Sequence, residues 1–275
     1  MPTITDDTIA KIADKIGTEK PETGGALFGP EHSNTLSYFQ FDKEARTTAS
    51  TYTPSKKLLK AIPEIEESEG LIFKGIIHSH PGSFDHPSGP DLTAFRRTLL
   101  HNTHLCSLIT PIVNFGAADD AVELNDAAGM QVYEVFRSRN PSEPVIIDKV
   151  TVRVMPIDAV TQCVIDALKD RGLKGLLQLR SHRSINGTTF LHRNISWSTP
   201  KRKKKDHLDL YFAPDFPTVS PIVSLTINEE QNWLSVTWSL QDFADEALVK
   251  RLMPVLEASN PIFCSKRKIK EPNNG

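Results

Sequence analysis

No run of apolar residues in this 275-residue chain approaches the roughly 18 that a membrane-spanning helix needs, so no span is expected. The opening stretch MPTITDDTIAKIADKIG lacks the apolar core of a signal peptide, and a cytoplasmic location is the expectation. Cysteine is scarce. Cys106, Cys163 and Cys264 are odd in number and far apart, which excludes a disulfide framework and a paired-thiolate metal site. They read as core residues in a reducing compartment. Internal repeats are also missing. The net charge of −2 and the 24% of charged residues are ordinary for a folded chain.

What is present is unevenly spread. Residues 1–150 hold 14 Lys and Arg against 21 Asp and Glu; residues 151–275 hold 18 against 13. An acidic part followed by a basic part, in a chain longer than one typical domain, predicts two domains. RSRNPSEP, residues 137–144, is the best linker, so the expected division is 1–140 and 141–275.

The first part alternates strand and helix patterns. Ile9, Ile12 and Ile16 recur at helical spacing behind Asp6 and Asp7. GGALFGP and TLSYFQFD read as strands, and SKKLLKAIPEIEES as a helix interrupted near Pro63. GLIFKGII is a strand that delivers His78 at its end. Pro81 to Pro90 reads as a loop, and Asp91 as the start of the helix DLTAFRRTLL. LCSLITPIVNF and GMQVYEVFR follow as strands. This alternation predicts an α/β domain around a central sheet.

Three histidines and two aspartates crowd the fourteen residues from His78 to Asp91. Side chains alternate along a strand, so His78 and His80 point to the same side. Two such nitrogens can hold one zinc, and a folded-back loop can add the Asp91 carboxylate. Two histidines and one aspartate leave a fourth tetrahedral position for water, the pattern of a catalytic rather than a structural zinc. Hydrolysis also needs a base. Glu22 precedes the apolar strand GGALFGP, on a segment able to pack beside the strand bearing the histidines. His86 and Asp85 read as loop-surface residues, and His101 and His104 as surface or capping groups. Gly24 and Gly25 read as positions of close backbone packing.

The string Glu22 … His78-x-His80-x7-Ser88-x2-Asp91, with ETGGALFG and IIHSHP, resembles the JAMM (JAB/MPN+) metalloproteases, bacterial branch, over residues 5–138. The resemblance implies an α/β/α sandwich with zinc on His78, His80 and Asp91, and Glu22 as general base. It gives Ser88 the support of the oxyanion or of the bound water. It also implies hydrolysis of the peptide or isopeptide bond after the C-terminal glycine of a ubiquitin-like modifier, in deconjugation or precursor maturation. Sulfur-carrier adducts or other peptides are the alternative substrates, and a non-catalytic scaffold is the alternative class. The expected partners are the modifier and its conjugates. The bacterial branch suggests companion conjugation enzymes and an antiviral setting.

In the second part, VIIDKVTVRVMP reads as a strand and DAVTQCVIDALKDRG as a helix. Strands are expected at 176–180, 188–197, 208–212, 221–227 and 233–240, and DFADEALVKRLMPVLEAS as a closing helix. This is an α+β accessory domain. Phe216-Pro217-x3-Pro221 after a strand resembles the turn of RWD and ubiquitin-conjugating (UBC) folds, without their catalytic cysteine, which implies a binding role. The basic run KRKKK, 201–205, reads as a solvated hairpin loop. No aromatic platform accompanies it, so nucleic acid is not an expected partner.

Overall fold

The computed structural model describes residues 1–17, 20–48, 51–116, 121–125, 127–138, 140, 143–198, 205–236, 247–259 and 263. The chain divides into two compact units. Unit 1 is Met1–Met155 with His182–Thr189, and unit 2 is Pro156–Ser181 with Phe190–Gly275.

Unit 1 runs β1 (Thr3–Thr5), α1 (Asp6–Lys15), β2 (Gly24–Gly29), β3 (Thr35–Leu36), β4 (Tyr38–Phe41), β5 (Arg46–Thr47), β6 (Tyr52–Thr53), α2 (Lys56–Glu69), β7 (Ile72–Ser79), α3 (Gly89–His101), β8 (Ser107–Phe115), β9 (Val122–Asn125), β10 (Ala128–Phe136), β11 (Ile146–Lys149) and β12 (Arg153–Met155). The main sheet has the order β11-β10-β8-β7-β2-β4, with β9 beside β10. Only β7 and β8 pair in parallel within it; the intervening α3 makes the crossover. β1, β3 and β12 form a small sheet of their own.

Both faces of the main sheet are apolar. Leu27, Ile77, Ile109 and Val113 pack with Ile12 and Ile16, Ile12 being on α1 and Ile16 closing it. Ala26, Phe28 and Phe73 pack with Leu58 and Ile65 of α2 and with Phe95 and Leu99 of α3. Helices on both faces of one sheet make the α/β/α sandwich. This is why β2 is buried along its whole length and reads as a continuous apolar run. Each fully buried Phe or Leu stabilises the fold by roughly 1.5–3 kcal/mol.

Three details differ from the sequence patterns. α2 continues through Pro63, because Leu58 and Ile65 on either side anchor it to the sheet. α3 begins at Gly89, not at Asp91. Ser88 caps it, and Asp91 occupies the third helical position. The stretch 145–156 makes two short strands, β11 against β10 and β12 against β1. Those pairings tie the chain as far as Met155 to unit 1, so the division of units falls there and not near residue 140.

Unit 2 contains α4 (Ile157–Asp170), β13 (Leu177–Ile185), β14 (Thr188–Trp197), β15 (Asp206–Phe212), β16 (Ile222–Ile227), β17 (Glu230–Leu234) and α5 (Ala247–Ser259); the tip of the β13–β14 hairpin is counted with unit 1. The five strands form a meander in sequence order. Leu208, Leu210 and Phe212 alternate with His207, Asp209 and Tyr211, so one face is apolar and the other polar. The expected last strand is displaced to Glu230–Leu234, and 237–240 lie outside the described residues. So do Lys201–Lys204 of the basic run and Cys264. Phe216 of the proline-rich turn is buried against Phe212, with ring centroids 4.9 Å apart. No helix among the described residues is long and apolar enough to cross a membrane.

Candidate metal centre

His78 and His80 sit at the C-terminal end of β7, where β7 is hydrogen-bonded on both sides. His78 lies opposite Gly24 of β2 and Ile112 of β8. The His80 amide donates to the Val113 carbonyl (2.8 Å), which extends the ladder one residue beyond the strand. The pair is therefore held by the rigid middle of the sheet, and both imidazoles are buried.

Asp91 arrives from the other side of the loop. The Ser88 hydroxyl and the Ser88 amide donate to Asp91 Oδ2 at 2.6 and 2.7 Å, and the Asp91 amide returns a bond to Ser88 Oγ at 3.4 Å. This is a capping box with aspartate in place of the usual glutamate. It starts the helix and aims the carboxylate in one stroke. The Ser88 hydroxyl thus orients the Asp91 carboxylate in this structure; the resemblance assigns it support of the oxyanion or of the bound water.

The three donors converge. His78 Nε2 and His80 Nε2 are 3.0 Å apart. Asp91 Oδ1 is 3.3 Å from His78 Nε2, and Oδ2 is 3.2 Å from His80 Nε2. Tetrahedral ligands at the usual zinc distances lie about 3.3 Å from one another, so the spacing suits one small cation. The protonation pattern agrees. His80 Nδ1 donates to the Phe84 carbonyl (3.2 Å), which leaves the Nε2 lone pair facing the other donors. The His80 lone pair and the Asp91 carboxylate, 3.2 Å apart, repel unless positive charge lies between them. His78, His80 and Asp91 form a group that could hold a metal ion. Burial disfavours the Asp91 anion, but the surrounding imidazoles and the Ser88 hydroxyl outweigh this and hold its carboxyl far below the ordinary range.

Glu22 joins the same site. Thr23 and Ser79 exchange hydrogen bonds: Ser79 N donates to Thr23 O (2.8 Å), and Thr23 N donates to the Ser79 hydroxyl (2.9 Å). That stitch lays the residue before β2 alongside the end of β7. Glu22 is buried. Burial pushes its carboxyl up from the ordinary value; the neighbouring histidines pull it down, and Asp91 adds to the rise. A carboxylate with a raised proton affinity, beside a cluster that can hold a cation, suits proton transfer.

Some residues of the site leave no trace in the sequence. Tyr52 lies parallel to the His78 ring (centroids 5.9 Å, planes 11° apart), and its hydroxyl donates to Asp42. A Cβ on Gly24 would come within 2.8 Å of that tyrosine ring and 2.5 Å of the Ile77 carbonyl, so Gly24 is what lets Tyr52 approach. Phe84 stacks on His80 (5.2 Å), and Tyr133, distant in sequence, donates to the Asp85 carbonyl at 2.6 Å. These contacts hold the loop from Pro81 to Ser88. His86 is exposed, pairs with Asp85, and lies outside the donor group.

Residues 7–121 match the family model of prokaryotic homologs of the JAB domain. These residues are a prokaryotic JAB domain. Its boundaries enclose all the site residues named above except Tyr133, and leave the second unit outside. No curated protein matches the chain. Among solved structures, the solution structure of protein DSY2949 from Desulfitobacterium hafniense is similar at 14% identity. The match covers 57% of this chain and 94% of that one, with a TM-score of 0.38.

Proposed function

We propose that the JAB domain is a zinc-dependent hydrolase that cuts the peptide or isopeptide bond after the C-terminal glycine of a ubiquitin-like modifier. The observation that carries this reading is the convergence of His78, His80 and Asp91 at 3.0–3.3 Å with the buried Glu22 beside them. A zinc held there would polarise the scissile carbonyl and bring a water's pKa from about 15.7 toward 7.

The chain's own residues do the rest. Glu22 accepts the water's proton on its carboxylate and delivers it to the departing amine. Its raised pKa makes it ready to hold that proton in between. Ser88 fixes the rotamer of Asp91, and the Phe84 carbonyl fixes the tautomer of His80. The partners that follow from this reading are the modifier and its conjugates, with the second unit as a binding module for them or for a companion enzyme. The likeness of its meander and its Phe216-Pro217 turn to RWD and UBC folds supports that role.

The test is cleavage of a ubiquitin-like protein fused through its C-terminal Gly-Gly to a reporter. Wild type should cut it. Glu22→Gln should retain zinc and lose about 10²–10⁴-fold in rate, the usual worth of a positioned base. JAB families include members without activity. Absence of both zinc and cleavage in folded wild type would place this chain among them.

A further inference from the structure

The polar face of the unit 2 sheet carries a second ordered cluster. The Ser181 hydroxyl lies 2.9 Å from His192 Nδ1, and His192 Nε2 lies 2.8 Å from Asp209 Oδ1. A carboxylate only accepts, so His192 carries its proton on Nε2. Nδ1 is then a free base facing a hydroxyl. A nucleophile on a base, with the base oriented by an acid, is the arrangement of serine hydrolases; here the ring nitrogens exchange places, with the serine on Nδ1 and the acid on Nε2.

The surroundings hold each part in place. Tyr211 stacks on His192 with centroids 4.6 Å apart and planes 17° apart, which sets the plane of the imidazole. Asn194 donates to Asp209 Oδ1 at 2.7 Å, and Ser224 to Oδ2 at 3.4 Å; His207 Nε2 is also 3.4 Å from Oδ2. The carboxylate is thus satisfied without Ser181, and the serine adds nothing to the network that a buried aspartate requires. Strand pairing confirms that these side chains share a face: His192 is opposite Tyr211, and Asn194, Asp209, Ser224 and Trp233 stand in one row. Arg193, on the opposite face, bonds to Asp158 of α4, so the cluster faces away from that helix. Ser181 lies on β13, an edge strand, and is only partly buried. Beside Ser181 the same strand shows apolar surface: Leu179, two residues away on the same face, is 65% exposed.

We propose that Ser181, His192 and Asp209 form a second, metal-independent site that hydrolyses small esters with apolar acyl groups. Ser181 Oγ bonds to the acyl carbon while His192 Nδ1 takes the hydroxyl proton. The bond from that carbon to the leaving oxygen breaks, and the proton departs with the alcohol. Water repeats the exchange: its oxygen bonds to the acyl carbon, His192 takes one proton, and the serine ester breaks to release a carboxylic acid and restore Ser181. Asp209 stays ionised throughout and holds the imidazole. Leu179, two residues before Ser181 on the same face of β13, offers the apolar surface for the acyl chain.

The full chain is treated with an alkyl fluorophosphonate and the labelled peptide is mapped by mass spectrometry, alongside turnover of p-nitrophenyl butyrate. Wild type should be labelled on Ser181. Ser181→Ala should lose label and turnover, and His192→Gln should lose at least about 10²-fold in both, the lower range for a general base. Glu22→Gln and chelator treatment should leave both unchanged, which keeps this outcome separate from that of the JAB site. Folded wild type unlabelled at Ser181, or labelling that persists in His192→Gln, overturns the proposal. The mapping on wild type decides even if a variant fails to fold.

Discussion

Each unit holds two histidines and an aspartate, and they are put to different use. In unit 1, His78 and His80 are two residues apart on one strand end, and both Nε2 atoms turn to the same point as the Asp91 carboxylate. In unit 2, His192 and His207 come from neighbouring strands and approach opposite oxygens of Asp209. There the carboxylate is the centre and the imidazoles are its partners. In unit 1 the centre is the space between the donors. Among the described residues only the first set forms a group that could hold a metal ion. The lesson is geometric: composition makes both clusters candidates, and the backbone spacing of the histidines separates a cation site from a proton relay.

The largest effect expected is on metal content. Asp91→Ala should weaken zinc binding at least about 100-fold, beyond the 10–100-fold typical of losing an outer-shell partner. His207→Ala should leave it unchanged. Zinc per chain by elemental mass spectrometry after dialysis reads both, and equal losses would erase the distinction between the clusters.

The next effect is on the stability of unit 2. Bonds from His192 and Asn194 and the nearby His207 charge outweigh burial and hold the Asp209 carboxyl below its ordinary 3.8. A lowered carboxyl stabilises the fold above the unfolded value, and the stabilisation fades as pH falls through the folded value. Asp209→Asn should therefore cost about 1–3 kcal/mol at neutral pH, the penalty for breaking a buried bonded group. Urea midpoints of the two proteins should draw together as the pH drops below 3.8. A gap of constant width down to acid pH would show that the charge of Asp209 is irrelevant.

A smaller effect concerns a buried charge outside both clusters. Lys74 on β7 donates to the carbonyls of Ser33 (2.7 Å) and Glu31 (3.3 Å), and burial lowers its ammonium from 10.5 to about 8. Between those values the unfolded chain holds more protons, so this group makes stability rise with pH. Wild type should gain on Lys74→Met between pH 8 and 10.5, as read by denaturant midpoints. A flat difference would mean that the backbone carbonyls fully replace water around the ammonium.

Much of unit 1 was legible because its signals are local. The alternation of strand and helix, the His-x-His spacing and the Ser88 and Asp91 positions all act within a dozen residues. α3 starts two residues before the position that Asp91 suggests, because Asp91 is the third-position partner of the true cap, Ser88. Pro63 looked like a break, but packing of α2 on the sheet overrides the one lost hydrogen bond. The end of unit 1 was less legible. The linker-like 137–144 is followed by β11 and β12, whose partners are β10 and β1, the latter at the far end of the sequence.

By itself, the sequence determined the strand-borne histidine pair, the acid that follows it, and the α/β pattern of the first unit, since periodicity and spacing are short-range properties of the chain. Tertiary structure alone brought Glu22 beside β7, set Tyr52 against His78, pinned the loop with Tyr133, and assembled Ser181, His192 and Asp209 from three strands. Those contacts depend on sheet order and register, which are decided by how the strands bury their apolar faces and not by any residue's near neighbours.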